Sequence, residues 1–264
     1  MNLTTDFQPT AVDRNHPLAI KIRKQMTTAL ADFNMLAHND KLMICVSGGK
    51  DSSILTILLD EIRKRAEIDF SIHAVLLDQK QPGFDQKAFA SWLELERIPF
   101  SVLERDTYSI VKEKVTNGVY CSLCSKLRRA ILYDYAVDHS FTKMALGHHR
   151  DDLIETTLLN MFYTGQLSTM PAKLKSDDDR NTVLRPLCYV AEKDLIELAS
   201  IWNFPVIPCN LCGSQEGMKR QKMKKLISDL EKDIPGLGGS FINSLMNIKP
   251  RHLLDEKLYD FKNI

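Results

Sequence analysis

No run of about 18 apolar residues, the least that spans a membrane as a helix, occurs among the 264 residues. Met1 to Asp6 shows no basic stretch leading into an apolar one, so no secretory leader is expected. Charge of one sign is equally scarce. Lys plus Arg is 35 and Asp plus Glu is 34, for a net charge of +1, which excludes a globally cationic nucleic-acid binder and leaves room only for a local basic footprint. Glycine (11) and proline (10) are too few for a collagen-like chain, and no internal repeat is evident. With 44% hydrophobic and 26% charged residues, pervasive disorder and a coiled coil are poor fits too. A soluble globular chain remains, long enough for one sizeable core. It is expected in the cytoplasm, without a membrane partner and with its cysteines reduced.

Residues 1–16 are polar and irregular and are expected to form a flexible lead-in. Pro17 suits the first turn of a helix running through Ile20, Ile22, Met26 and Leu30. Leu42 to Val46 is a continuous apolar run, the pattern of a strand buried on both faces. Strands over Ile72–Leu77, Phe100–Leu103 and Met144–Leu146 alternate with helical stripes such as Phe89/Trp92/Leu93, Leu127/Ile131/Tyr135 and Ile154/Leu158/Met161. That alternation predicts an α/β fold, a parallel central sheet with helices on both faces, over residues 17–205. Residues 206–264 add a small helical C-terminal part, with a stripe at Met223, Leu226, Ile227 and Leu230, packed on the same domain. Lys173–Asn181, rich in Ser and Asp, reads as an exposed loop.

Ser47-Gly48-Gly49-Lys50-Asp51-Ser52 separates the first strand from a helix. Glycines there let the backbone turn sharply and approach a ligand. The open N–H groups and the dipole of the helix start then face an anion. Lys50 brings a mobile positive charge for phosphates, and the hydroxyls of Ser47 and Ser52 add donors. Asp51 is an odd neighbour for an anion unless it shares a divalent cation with it. This is not a Walker A loop, because Asp51 follows the lysine where Ser or Thr is required. A capped turn without a ligand is the bland alternative, and the full hexapeptide in a strand–loop–helix setting argues against it.

The hexapeptide resembles the PP-loop (SGGxDS) of the N-type ATP pyrophosphatases. Ala145 to Thr156, with Gly147, His148, Asp151, Asp152 and Glu155, is similar to that superfamily's GHxxDDxxET stretch. Taken alone, that stretch is also a serviceable helix start, with two aspartates at the positive end of the dipole. The resemblance implies an adenine nucleotide alpha hydrolase-like fold in which ATP sits on Ser47, Gly48, Gly49, Lys50, Asp51, Ser52, Gly147 and His148. Lys50, Asp51 and Asp152 are then the catalytic candidates, with Asp51 and Asp152 as ligands of magnesium. Members cleave ATP between its α and β phosphates, activate a carbonyl-type oxygen as an adenylate, and let a nucleophile expel AMP.

Six cysteines occur, and four of them form two C-x-x-C pairs, Cys121/Cys124 and Cys209/Cys212. Chance predicts only about a tenth of one such pair. Cys45, inside the first strand, and Cys188 read as core residues. A reducing compartment argues against disulfides. A Cys₄ zinc knot and an iron–sulfur cluster both accept this spacing. A PP-loop chain with a mid-sequence Cys-x-x-Cys and a later Pro208-Cys209-Asn210-Leu211-Cys212-Gly213 resembles the tRNA 2-thiocytidine synthetases (tRNA-cytidine 2-sulfurtransferases). That resemblance implies a 4Fe–4S cluster held by Cys121, Cys124 and Cys212, with Cys209 present but not a ligand. It also implies 2-thiolation of cytidine 32 in the tRNA anticodon loop, sulfur from a cysteine desulfurase, and a homodimer.

Lys219 to Lys225 packs five positive charges into seven residues, and Lys222, Lys224 and Lys225 are candidate tRNA contacts. A solvated helix face is the plain alternative. Tyr120 suits either stacking on a splayed base or the core. Close rivals are the tRNA 2-thiouridine synthetases, which add cysteine-rich terminal modules absent here, and the lysidine synthetases, which lack the pairs. From another class comes a non-catalytic, zinc-braced RNA- or nucleotide-binding protein.

Overall fold

The protein, seen as a computed structural model, is described over residues 11–80, 86–114, 120–206 and 215–263, without the side chains of residues 120–122 and 215–218. In chain order the elements are α1 (Pro17–Asp32), β1 (Asp40–Val46), α2 (Lys50–Arg63), β2 (Phe70–Asp78), α3 (Gln86–Leu95), β3 (Phe100–Glu104), α4 (Thr107–Lys114), α5 (Tyr120–Asp138), β4 (Lys143–Ala145), α6 (Arg150–Thr164), β5 (Lys173–Lys175), β6 (Thr182–Leu184), α7 (Glu192–Trp202), α8 (Gln215–Asp233) and α9 (Leu237–Met246). Pro17 opens α1 as expected, and His16 Nδ1 accepts the otherwise unpaired N–H of Leu18 at 3.2 Å.

Among the described residues six strands form one sheet in the order β3-β2-β1-β4-β6-β5. All neighbours run parallel except β5, which pairs antiparallel with β6 at the edge. Alternation along β1 divides the core into two layers. Leu42, Ile44 and Val46 join Ile22 and Met26 of α1, Ile54 and Leu58 of α2 and Leu195 of α7. Met43 and Cys45 face the opposite way, onto Leu132 and Ala136 of α5. Helices on both faces explain why β1 reads as an unbroken apolar run. No helix among the described residues is long and apolar enough to cross a membrane.

The strand order carries the functional consequence. From β1 the chain steps outward to β2 and β3, then returns to the other side of β1 as β4. At such a reversal the loops leaving adjacent carboxyl ends diverge and open a crevice. The loops after β1 and β4 are those containing Ser47–Ser52 and Gly147–Asp152.

Two segments differ from their sequence reading. Lys173–Asn181 is not simply a loop: its first three residues are β5, and the turn is closed by Ser176 N–H to Asn181 O at 2.8 Å and Asn181 N–H to Ser176 Oγ at 2.9 Å. An exposed edge strand has no apolar alternation to announce it. Residues 11–16 are pinned rather than loose. Arg14 reaches Asp60 (2.8 Å), Glu61 (2.9 Å) and Glu96 (2.7 Å), Val12 N–H donates to Glu96, and Trp202 Nε1 donates to Asp13 O. Glu96 has no other cationic partner among the described residues. Arg14→Ala, which strands buried Glu96 while Asp60 and Glu61 keep Arg63, Lys64 and Arg65, is expected to cost about 3 kcal/mol of stability; urea unfolding measures it, and an unchanged midpoint would mean the arm is dispensable.

Candidate active site

The Ser47–Ser52 loop is built around backbone freedom. Gly48 sits at φ +79°, a left-handed conformation that side chains resist. Gly49 caps α2 without a side-chain hydrogen bond, so the first-turn N–H groups stay open toward the crevice. The serines serve the loop itself. Ser47 N–H donates to Ser52 Oγ at 3.1 Å, the two hydroxyls lie 3.1 Å apart, and Ser52 and Ser53 hydroxyls both donate to Gly49 O. Ser52 is buried and committed to bracing the loop, whereas Ser47 is exposed.

Gly147 locks the second segment to the first. A Cβ on Gly147 would lie 2.9 Å from Ser52 N and 3.1 Å from Asp51 C, both backbone atoms that cannot swing aside. The two motifs, about a hundred residues apart in sequence, therefore meet backbone to backbone at the crevice. His149 then caps α6 in a capping box, accepting Asp152 N–H at Nδ1 while Asp152 Oδ2 accepts His149 N–H at 3.1 Å. Asp151 is spent on structure, since its Oδ2 takes the first N–H of α7, from Glu192, at 2.7 Å. His148 turns to Arg185, whose Nε donates to His148 Nδ1 at 3.2 Å. Burial, reinforced by the Arg185 charge, lowers the His148 pKa to about 4, so the ring stays neutral at ordinary pH.

Ion pairs line the rim. Lys50 Nζ lies 3.0 Å from Asp51 and 3.6 Å from Glu192, and Glu192 also holds Lys224 of α8 at 2.6 Å. Burial acts to raise the Glu192 carboxyl, but the Lys224 hydrogen bond and charge, with His149 and Lys50 nearby, together outweigh it and hold the group below the usual range. Glu155, buried and beside Asp152, is pushed up to about 7, with Arg220 Nε only 3.8 Å away. Asp151, Glu155, Glu192, Lys193 and Lys224 line a cleft of about 170 Å³ between α6, α7 and α8.

Of the expected site residues, Gly48, Gly49, Lys50, Asp51, Gly147 and Asp152 come together at this crevice. The candidate tRNA lysines do not share one face. Lys224 reaches across to Glu192, Lys225 pairs along its own helix with Asp229 at 2.7 Å, and Lys222 is exposed with no anionic partner among the described residues. At 3.6 residues per turn, positions 222, 224 and 225 cannot all point one way.

Cys124 is partly exposed on α5 and accepts Gln79 Nε2–H at 3.3 Å. Gln79 immediately follows β2, so this thiol lies at the same carboxyl edge of the sheet as the phosphate loop. Cys45 and Cys188 are buried, and burial pushes both thiols up to about 12. Backbone places Cys121 in the first turn of α5. Its side chain, the Tyr120 side chain, Cys209 and Cys212 lie outside the described residues. Glu192 and Gln79 escaped the sequence reading because neither sits in a motif; their places are set by which helix or strand end adjoins the crevice.

Two outcomes follow from this geometry. Gly147→Ala forces the loops apart and is expected to weaken ATP binding by about five- to a hundredfold, given the roughly 1–3 kcal/mol cost of overpacking, with titration calorimetry as the check. For His148, the unfolded ring takes up a proton near pH 6.5 that the folded ring refuses until about 4. Stability due to this group is complete above 6.5 and declines as pH falls through that window, by at most about 1.4 kcal/mol per pH unit. Glu155 runs the other way, losing stability as pH rises from about 4.5 to 7. His148→Gln leaves Glu155 in place, so urea midpoints at several pH values for the two proteins isolate the histidine; parallel curves would refute its neutral burial.

Comparison with known proteins agrees with this geometry. Residues 18–205 match the family model described as a PP-loop domain. The tRNA-cytidine(32) 2-sulfurtransferase of Bdellovibrio bacteriovorus is 62% identical over 254 residues, covering 96% of this chain and 98% of its own. That of Hahella chejuensis is 51% identical over 92% of this chain and 86% of its own. Among solved structures, the U34-tRNA thiolase NcsA from Methanococcus maripaludis, determined with its 4Fe–4S cluster, superposes with a TM-score of 0.71 at 20% identity, covering 88% of this chain and 80% of its own, a likeness of fold. The chain belongs to the tRNA-cytidine(32) 2-sulfurtransferase family of PP-loop enzymes.

Proposed function

We propose that this chain uses ATP to replace the C2 oxygen of cytidine 32 in the tRNA anticodon loop with sulfur. The observation that carries the reading is the junction of two motif loops at the sheet's switch point, with a partly exposed thiol along the same edge. Open N–H groups at the start of α2 and the Lys50 ammonium bind the phosphates. The C2 oxygen attacks the α-phosphorus and pyrophosphate departs. Sulfide-level sulfur then attacks C2, and AMP leaves carrying the former base oxygen; sulfur arriving as a desulfurase persulfide is first reduced by two electrons from a dithiol reductant, which departs as the disulfide. Activation is needed because an amide-like oxygen is a poor leaving group, and donors at the loop stabilise the charge on pyrophosphate.

The donor set suits a divalent cation. Among the described residues Asp51 Oδ1 is buried and makes no hydrogen bond, its one neighbour of opposite charge being Lys50 Nζ at 3.0 Å, and Asp152 Oδ1 takes no hydrogen bond, so once Lys50 turns to phosphate both carboxylates offer an oxygen to magnesium, which would neutralise the departing pyrophosphate. Asp151, tied to α7, has none to spare. Cys124, partly exposed and with an amide donor at its sulfur, suits an iron–sulfur ligand, and Cys121 and Cys212 complete the set, with Cys209 not a ligand. Those three thiolates would hold a 4Fe–4S cluster, which when bound would supply the place from which sulfur is delivered to the activated base. A cysteine desulfurase provides that sulfur, the enzyme is a homodimer acting in the cytoplasm, and exposed Lys222 meets tRNA phosphate.

Mass-spectrometric nucleoside analysis is expected to find 2-thiocytidine in tRNA from cells carrying this chain and none in cells lacking it, with Asp51→Asn failing to restore it; persistence without the chain would refute the function. Cys124→Ala is expected to abolish the cluster's visible absorbance in anaerobically purified protein while ATP binding survives, and Cys188→Ala to retain both. Equal loss in the two variants would remove the distinction between exposed ligand and buried core thiol.

A further inference from the structure

Glu192 stands between two lysines from different parts of the fold. Its backbone N–H is fixed by Asp151, so the motif at the start of α6 sets where its carboxylate sits. One oxygen faces Lys50 of the phosphate loop at 3.6 Å and the other holds Lys224 at 2.6 Å. Lys224 belongs to α8, which begins three residues after Cys212 in the chain. Among the described residues that helix is anchored by buried Met223 and Ile227, by the ion pairs Lys224–Glu192, Arg220–Glu155 and Arg150–Glu231, and by Lys219 over the Tyr163 ring.

We propose that Glu192 is a positioning residue that couples nucleotide occupancy of the phosphate loop to the docking of α8. Without nucleotide, one carboxylate is shared by two ammonium groups that repel each other. Phosphates offer Lys50 a stronger charge-assisted partner. As Lys50 leaves, Glu192 is left to Lys224 alone, and α8 is held more tightly. Coupling is reciprocal, so loosening Lys224 must disfavour the nucleotide by the same factor. The order has a use in sulfur transfer: the helix that follows the second cysteine pair tightens only once ATP is in place.

The proposal rests on Lys50 being the phosphate-binding lysine, and the experiment separates the two. Hydrogen exchange of the intact protein is followed with and without α,β-methylene-ATP and magnesium, alongside its dissociation constant by calorimetry. Analogue binding is expected to slow exchange across α8 by about tenfold in the parent, an effect worth about 1.4 kcal/mol, and not at all in Glu192→Gln. Lys224→Met, which gives Glu192 wholly to Lys50, is expected to weaken the analogue by about three- to tenfold, and Lys224→Arg to restore binding. Equal slowing of α8 in the parent and in Glu192→Gln, or analogue affinity unchanged in Lys224→Met, overturns the coupling while the proposed function stands. Unchanged analogue affinity in Lys50→Met overturns the phosphate role of Lys50 and the coupling with it.

Discussion

The approach of Gly147 to the backbone of Asp51 and Ser52 is the constraint on which the crevice depends. Backbone against backbone leaves no side chain to flex, so the two loops are held at one separation. Everything chemical is referred to that contact: the open N–H groups of α2, the capping box that aims Asp152, and the turn of His148 toward Arg185. A sheet whose strand order reverses between β1 and β4 delivers the two loops to one place. The glycine lets them touch.

Charge is handled by pairing rather than by exposure. The same helix start that welcomes phosphate also gathers carboxylates, and burying these without partners would cost several kcal/mol each. The structure meets that cost with lysines and arginines drawn from distant segments: Lys224 and Arg220 from α8, Arg150 against Glu231, and Arg14 against Asp60, Glu61 and Glu96. A near-neutral chain is the natural outcome. The basic tract of α8 stays exposed along its length, yet Arg220 and Lys224 each reach a carboxylate of the crevice, so part of it acts as counter-charge.

The alternation of β1, the glycine pair after it and the GHxxDDxxET-like stretch are local features, so they were legible directly. So were Cys45 and Cys188 as core residues, since both lie in apolar runs and both are buried. The edge strand β5 was not, because Lys173 and Lys175 are exposed and leave no periodic signal. Nor was the anchoring of residues 11–16, which rests on partners 46 to 189 residues away. Ser52 was read as a phosphate donor on its hydroxyl and on the PP-loop resemblance; what no local pattern shows is that it is buried and bonded to Ser47 and Gly49.

Sequence alone established the fold class through its alternating apolar pattern, and it carried in short contiguous stretches, Ser47–Ser52 and the two C-x-x-C pairs, the motifs on which the family resemblance rests. Tertiary structure decided which groups share the crevice: that Asp152 bonds through one oxygen only among the described residues while Asp151 is spent on α7, that Cys124 lies along the loop's edge with Gln79 at its sulfur, and that Lys224 reaches from an exposed helix face to a glutamate it shares with Lys50. Those choices depend on which strand ends and helix faces adjoin, a relation between segments far apart in the chain that no local pattern encodes.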